Sequence, residues 1–289
     1  VYTASEIMKI LVTGIRGQLG HDVVEELTKR HIEAVGVNSD DMNITDKHSV
    51  DTCFDSIHPD AVIHCAAWTA VDAAEDEVAA CRAVNVDGTE YIAEACRRFD
   101  IPMMYFSTDY VFNGEGTRPW KPEDKTAPIG VYGQSKLDGE EAVRRILPDK
   151  HFIIRLQWVY GINGKNFVKT MLKLAETHDR LTVVSDQIGG PSYTRDIASL
   201  ACDMIVTDKY GTYHAANTGY CSWYEFAKAI FAEAGKQVDV VPVSSEEYPS
   251  KAKRPHNSRL DTSKLEEAGF TKMPSWQDAL HRFIAELNA

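Results

Sequence analysis

The segment Tyr132-Gly133-Gln134-Ser135-Lys136 opens a helical stretch with a phenol and an amine four residues apart. Side chains at i and i+4 share one face of a helix, so the two groups can meet. A free tyrosine, with a pKa of about 10, exchanges protons poorly at neutral pH. A neighbouring ammonium favours phenolate, and lowering the pKa by ~3 units corresponds to roughly 4 kcal/mol. Alone, the pair also fits an ordinary surface helix. Upstream, Ser107-Thr108-Asp109 closes the apolar run Met103 to Phe106. A hydroxyl there stands at the carboxyl end of a strand, where open parallel sheets bind their substrates.

A second signature lies near the start. Gly14-Ile15-Arg16-Gly17-Gln18-Leu19-Gly20 has the spacing GxxGxxG and follows the apolar run Lys9 to Thr13. Glycines allow a tight turn and let the backbone approach a pyrophosphate, which then sits on a helix N-terminus. The pattern is weak by itself. Joining a first strand to a first helix makes it fairly specific for a dinucleotide. Sites selective for NAD place an acid at the end of the second strand. Asn38 holds that place here, followed by Ser39, Asp40 and Asp41. Asn38 can hydrogen-bond a ribose without repelling a 2′-phosphate, and Arg16 is either a cation within reach of one or a solvated loop residue. The expected cofactor is NADPH or NADH, with the balance toward NADPH.

Elements must hold these groups in place. Ala34 to Val37, Ala61 to Ala66, Met103 to Phe112 and Phe152 to Val159 read as strands, and Val78 to Arg98 and Gln134 to Ile146 as helices. Repeated strand–helix alternation predicts an α/β fold: a Rossmann-type doubly wound parallel sheet with a smaller C-terminal substrate-binding lobe. In the less regular second half, Leu181 to Val184 and Thr212 to Ala215 read as short strands. Phe226, Ala227, Ile230 and Phe231 form a helical stripe, with Ser222 as its N-cap and Gly235 as its stop. The expected division is 8–161 for the dinucleotide-binding domain and 162–289 for the lobe. Segments within about 181–215 are candidates to return to the first domain. Residues 1–7 precede Met8 and are set aside as a tag or short extension.

Composition narrows the function classes. The 289 residues are 44% hydrophobic and 26% charged, ordinary for a globular enzyme, with net charge −12. An acidic chain disfavours nucleic acid as a partner. The longest apolar stretch, Ala61 to Val71, is interrupted by His64 and Thr69, short of the roughly 20 residues of a membrane helix. Six scattered cysteines, none in CxxC spacing, suggest reduced thiols and a cytoplasmic protein. His31, His48, His58 and His64 lack metal-ligand spacing and read as surface or packing residues.

These segments resemble the extended short-chain dehydrogenase/reductase family, and within it the dTDP-4-dehydrorhamnose reductase group. Further matching stretches are Ala66-Ala67-Trp68-Thr69-Ala70-Val71-Asp72, Ser107 to Phe112, Trp158-Val159-Tyr160-Gly161, Asp186 to Pro191 and Arg254-Pro255-His256-Asn257-Ser258-Arg259-Leu260. The resemblance implies an NAD(P)-dependent reductase that takes hydride to the C4 ketone of a nucleotide-linked 4-keto-6-deoxy sugar. Tyr132 would donate the proton, Lys136 would tune it and hold the nicotinamide ribose, and Thr108 would polarise the ketone. Asp109 and Trp158 would contact the sugar nucleotide. Gly17, Gln18 and Leu19 would touch the pyrophosphate, with Gly14, Arg16 and Gly20 of the same loop also cofactor-binding, and Asn38, Asn43 and Ile44 would lie near the adenosine. Ala66, Ala67, Trp68, Thr69 and Phe106 would lie beside the cofactor.

Anion binding by an acidic chain requires a local cluster, and Lys251, Lys253, Arg254, His256 and Arg259 supply one. Arginine suits bidentate contact with phosphate, so Arg254 is the candidate for the diphosphate, with Asn257 and Ser258 behind it. The alternative is a solvated basic loop. Two residues depart from the family pattern: Gln157 replaces a small hydroxyl residue, and Trp68 a smaller or imidazole side chain. Some family members bind magnesium at a dimer interface. Asp22 is one candidate ligand without a full set, so no metal is expected, and monomer and homodimer both stay open. Competing readings are a sugar-nucleotide dehydratase, disfavoured by Tyr110 where a dehydratase needs Glu, an epimerase, which would retain its cofactor tightly, and a non-catalytic NADP-binding regulatory subunit.

Overall fold

Short apolar runs build the centre of the molecule because a parallel sheet is covered on both faces. The computed structural model describes residues 8–289, so the reading of residues 1–7 lies outside the described residues. Its main elements, in chain order, are β1 (Lys9–Thr13), α1 (Gln18–Lys29), β2 (Glu33–Val37), α2 (Lys47–Ile57), β3 (Ala61–His64), α3 (Thr89–Phe99), β4 (Met103–Thr108), α4 (Val131–Ile146), β5 (His151–Leu156), α5 (Thr194–Ile205) and β6 (Gly211–His214). The six strands pair in parallel in the order β2-β1-β3-β4-β5-β6. Helices α1 and α5 cover one face, and α2, α3 and α4 the other. This is the expected doubly wound α/β architecture.

The chain runs outward from β1 to β2, then crosses to β3 on the other side of β1. That reversal opens a crevice beyond the carboxyl ends of β1 and β3. The two ends come very close there. Gly14 has φ +70°, and a Cβ on it would stand 2.8 Å from the Ala66 Cα. Glycine is required on both counts.

Two expectations need correction. The long helix expected over Val78 to Arg98 is interrupted: Val78–Arg82 and α3 are separated by a π-helical turn, Ala83–Gly88. The widened turn carries Asn85, whose carboxamide is hooked onto other segments. It accepts from the Trp68 N–H (2.8 Å) and donates to the Trp68 carbonyl (3.1 Å) and the Ser135 hydroxyl (3.0 Å). The strand expected over Met103 to Phe112 stops at Thr108, where a single 3-10 turn, Asp109–Val111, begins.

The second half forms its own apolar cluster around Tyr160, Phe226, Trp276 and Phe283. Ser222 caps helix Trp223–Glu233 in a reciprocal capping box with Glu225, and Gly235 follows the helix end at φ 63°. Within 181–215, α5 and β6 join the large sheet and its cover, whereas Arg180–Val184 pairs with Asp239–Val243 in the lobe.

Candidate active site

The crevice continues into a cleft of about 1020 Å³ between sheet and lobe. Gly14, Arg16, Gly17, Gln18, Leu19, Gly20, Asn38, Asn43, Ile44, Ala66, Ala67, Thr69 and Phe106 line it at one end. Thr108, Asp109, Tyr132, Lys136 and Trp158 line it further in. Trp68, Arg254, Asn257 and Ser258 do not line it.

The glycine loop fits a dinucleotide. A Cβ on Gly20 would lie 2.4 Å from the Gly14 carbonyl oxygen, and one on Gly17 3.1 Å from it. Helix α1 starts with no side-chain cap and no acid in its first turn. Its first N–H groups and its dipole therefore face the cleft uncompensated, as an anion site requires. The Gln18 carboxamide has a structural task, accepting from the Gly161 N–H and the Asn166 side chain, each at 3.0 Å. Asn163 donates to the Arg16 carbonyl at 2.8 Å. Asn163 and Asn166, which the sequence did not single out, thus clamp the loop to the lobe. Arg16 pairs with Asp40 at 2.7 Å, both exposed, while its N–H donates to Asn38 at 3.0 Å.

Helix α4 begins one residue before Tyr132, so Tyr132 and Lys136 share its inward face. Their protonation differs from the simple expectation. Burial pushes the Tyr132 phenol well above its ordinary value, although the neighbouring Thr108 hydroxyl works against this. Burial also lowers the Lys136 ammonium from 10.5 to about 7, against the pull of Glu140 one turn on. Lys136 is 3% exposed, with its Nζ 4.1 Å from the Tyr105 ring centroid. Glu140 is fully buried and gripped by Arg155 through two bonds of 2.8 Å. The protein thus holds a protonated phenol one helical turn from an amine poised near neutrality.

Around this pair, Thr108 donates to Asp109 at 3.1 Å and accepts from the Tyr110 N–H at 3.2 Å. Burial raises the Asp109 carboxyl to about 6, opposed by Ser258 and Thr108. The Tyr110 ring meets Tyr132 edge-on at 5.5 Å. Trp158 takes a left-handed backbone (φ 45°) and stacks on Trp223 with centroids 3.6 Å apart.

The basic loop makes contacts of its own within the protein. Arg254 pairs with Asp72 at 2.7 Å and donates to the Tyr110 hydroxyl at 3.2 Å. The Asn257 carboxamide is consumed by the Arg118 carbonyl (2.8 Å) and the Arg259 guanidinium (2.9 Å). Ser258 is buried against Asp109. The Trp68 indole donates to the Ala70 carbonyl at 3.0 Å, which turns it off the cleft wall. Asp22 is buried and accepts from Thr194, and the donor atoms of His21, Asp22 and Glu25 lie within 4.8 Å of one another.

Comparison with known proteins agrees with this geometry. The family model described as the RmlD substrate binding domain matches residues 8–289. The chain is 44% identical over 278 residues to the spore coat polysaccharide biosynthesis protein SpsK of Bacillus subtilis, covering 96% of this chain and 97% of that one. It is 37% identical over 305 residues to the dTDP-4-dehydrorhamnose reductase of Escherichia coli, covering 97% and 98%. A crystal structure of dTDP-4-dehydrorhamnose reductase from Bacillus anthracis, in complex with NADP, matches with TM-score 0.95 and 40% identity, covering 97% of this chain and 100% of that one. A UDP-glucose 4-epimerase from Thermus thermophilus, at 21% identity and TM-score 0.83, shares the fold alone. The glycine loop, the strand-end threonine and the tyrosine–lysine pair therefore stand in a member of the RmlD substrate binding domain family.

Proposed function

We propose that this enzyme reduces the C4 ketone of a dTDP-linked 4-keto-6-deoxy sugar, giving dTDP-rhamnose from dTDP-4-dehydrorhamnose, with NADPH or NADH as the reductant. The observation that carries this reading is that Thr108, Tyr132 and Lys136 line the same cleft as the uncapped glycine loop. A relative with NADP bound supports NADPH in particular. The six cysteines are all unpaired thiols, which suits a cytoplasmic enzyme.

When bound, the reduced nicotinamide supplies hydride to the ketone carbon. The protein's part is to bind, orient and protonate. Thr108 and Tyr132 hydrogen-bond the carbonyl oxygen as it gathers negative charge. The buried phenol is held protonated, so Tyr132 has a proton to give to that oxygen. Lys136, one helical turn away, favours the phenolate that remains. Asp109 and Trp158 hold the sugar, and the cleft walls on either side of it provide the orientation that lowers the barrier.

The test is a spectrophotometric assay of cofactor oxidation with a panel of 4-keto sugar nucleotides. Oxidation of NADPH faster with the dTDP-4-keto-6-deoxy sugar than without any sugar is the expected result. No oxidation with any member of the panel refutes the reading.

A further inference from the structure

We propose that Glu75 is a positioning residue for the proton donor: its carboxylate caps the catalytic helix from a remote segment and so fixes Tyr132 for transfer to the ketone oxygen. The inference rests on the reductase reading of the cleft.

Tyr132 is the second residue of α4, in the turn where a helix has N–H groups without intrahelical partners. Among the described residues, the N-cap Gly130 makes no side-chain bond to that turn, and the turn holds no acid. An uncapped first turn frays, and fraying here would move the phenol relative to the ketone. The missing acceptor comes from 56 residues away. Glu75 directly follows the short helix Val71–Ala74, and its Oε1 accepts from the Val131 N–H at 2.9 Å, next to Tyr132 in the chain. A carboxylate suits this place because it also meets the positive end of the helix dipole. The fit is close: a Cβ on Gly130 would stand 2.9 Å from the same Oε1, so glycine there leaves the carboxylate its seat.

The same segment also holds the ring's neighbour. Asp72 pairs with Arg254 at 2.7 Å and accepts from the Ala252 N–H at 2.9 Å. Arg254 donates to the Tyr110 hydroxyl at 3.2 Å, and the Tyr110 ring meets Tyr132 edge-on. A Cβ on Gly133 would collide with the Tyr110 carbonyl, so the turn after β4 sits directly on the first turn of α4. Residues 72–75 thus secure Tyr132 by two routes, one at the backbone before it and one at the ring beside it. Glu75 is not among the described residues that line the cleft, so it acts through Tyr132 and not on the substrate. Orientation is a large part of the rate, and a displacement of about 1 Å is enough to cost roughly 100-fold.

The test compares the wild type with Glu75→Ala, which removes the cap, and with Glu75→Gln, which keeps an acceptor oxygen and loses the charge. kcat and both KM values are measured with the dTDP-4-keto-6-deoxy sugar and NADPH, well below the Tm of each protein. Glu75→Ala is expected to lower kcat by about fivefold or more, with KM for the sugar and for NADPH within twofold of wild type. Glu75→Gln should restore kcat to within threefold of wild type. A cap that merely stabilises the fold would lower Tm and leave the kcat of the folded protein alone. Should Glu75→Ala fold poorly, Gly130→Ala pushes the carboxylate off its seat with Glu75 still present, and should show the same loss of kcat. A smaller loss of kcat, a loss carried by KM for the sugar instead, or a glutamine variant that fails to recover overturns the inference. A wild type that reduces no sugar overturns the reductase reading instead.

Discussion

Replacing Lys136 by methionine should stabilise this protein, and more so in acid than in base. The ammonium lies 3% exposed over the Tyr105 ring, and burial lowers its pKa from 10.5 to about 7. The unfolded chain thus keeps the proton up to its ordinary pKa, whereas the folded protein releases it near neutrality. For a group depressed in this way, stability is fully present above the unfolded pKa and is lost as pH falls through the folded one. At about 1.36 kcal/mol per unit, the charged lysine costs about 5 kcal/mol at pH 6 and about 3 kcal/mol at pH 8. Methionine has no proton to bind and packs in the same space. Urea unfolding of both proteins at the two pH values measures the gap. Changes in packing are the same at both, so the variant's advantage should shrink by roughly 1–2 kcal/mol between pH 6 and pH 8. Asp109, raised to about 6, titrates in both proteins and cancels from the comparison. Meanwhile kcat should fall by about 100-fold or more. A stability gap that does not change with pH would refute the burial argument.

Two further outcomes follow from the packing. Gly20→Ala places a methyl where the Gly14 carbonyl oxygen is 2.4 Å away, so isothermal titration should show NADPH affinity reduced by about tenfold or more through a displaced glycine loop. Arg155→Met removes two 2.8 Å bonds from the fully buried Glu140 carboxylate and leaves it Arg144 at 2.7 Å; with that partner kept, the loss should be about 3 kcal/mol or less, which denaturant unfolding near neutral pH should register.

The sheet and the catalytic helix were legible because their signals are local. Buried parallel strands are short apolar runs, and the runs ending at Thr13, His64 and Thr108 needed no knowledge of their partners. Tyr132 and Lys136 are one turn apart on a single helix, so their sharing one face follows from helical spacing. The π turn at Ala83–Gly88 was hidden because one extra residue per turn barely disturbs an apolar periodicity. The partners of the basic loop were hidden for a different reason. Arg254 and Asn257 are the right types to grip a phosphate, and equally the right types to satisfy a carboxylate or a carbonyl. Asp72, 182 residues away, and the Arg118 carbonyl take those bonds here. The clamp of Asn163 and Asn166 on the glycine loop spans more than 140 residues, which no local pattern reports. Gln157 stood out in the sequence as an unusual residue; its idle amide became visible once its neighbours were placed.

The account turns on the Tyr132 phenol as proton donor, and Tyr132→Phe tests it most directly. The substitution removes one oxygen and keeps the ring against Tyr110. With the dTDP-4-keto-6-deoxy sugar and NADPH, kcat is predicted to fall by about a thousandfold, while Tm and the sugar-nucleotide KM stay close to wild type. A variant that keeps a tenth or more of the wild-type kcat would contradict the assignment.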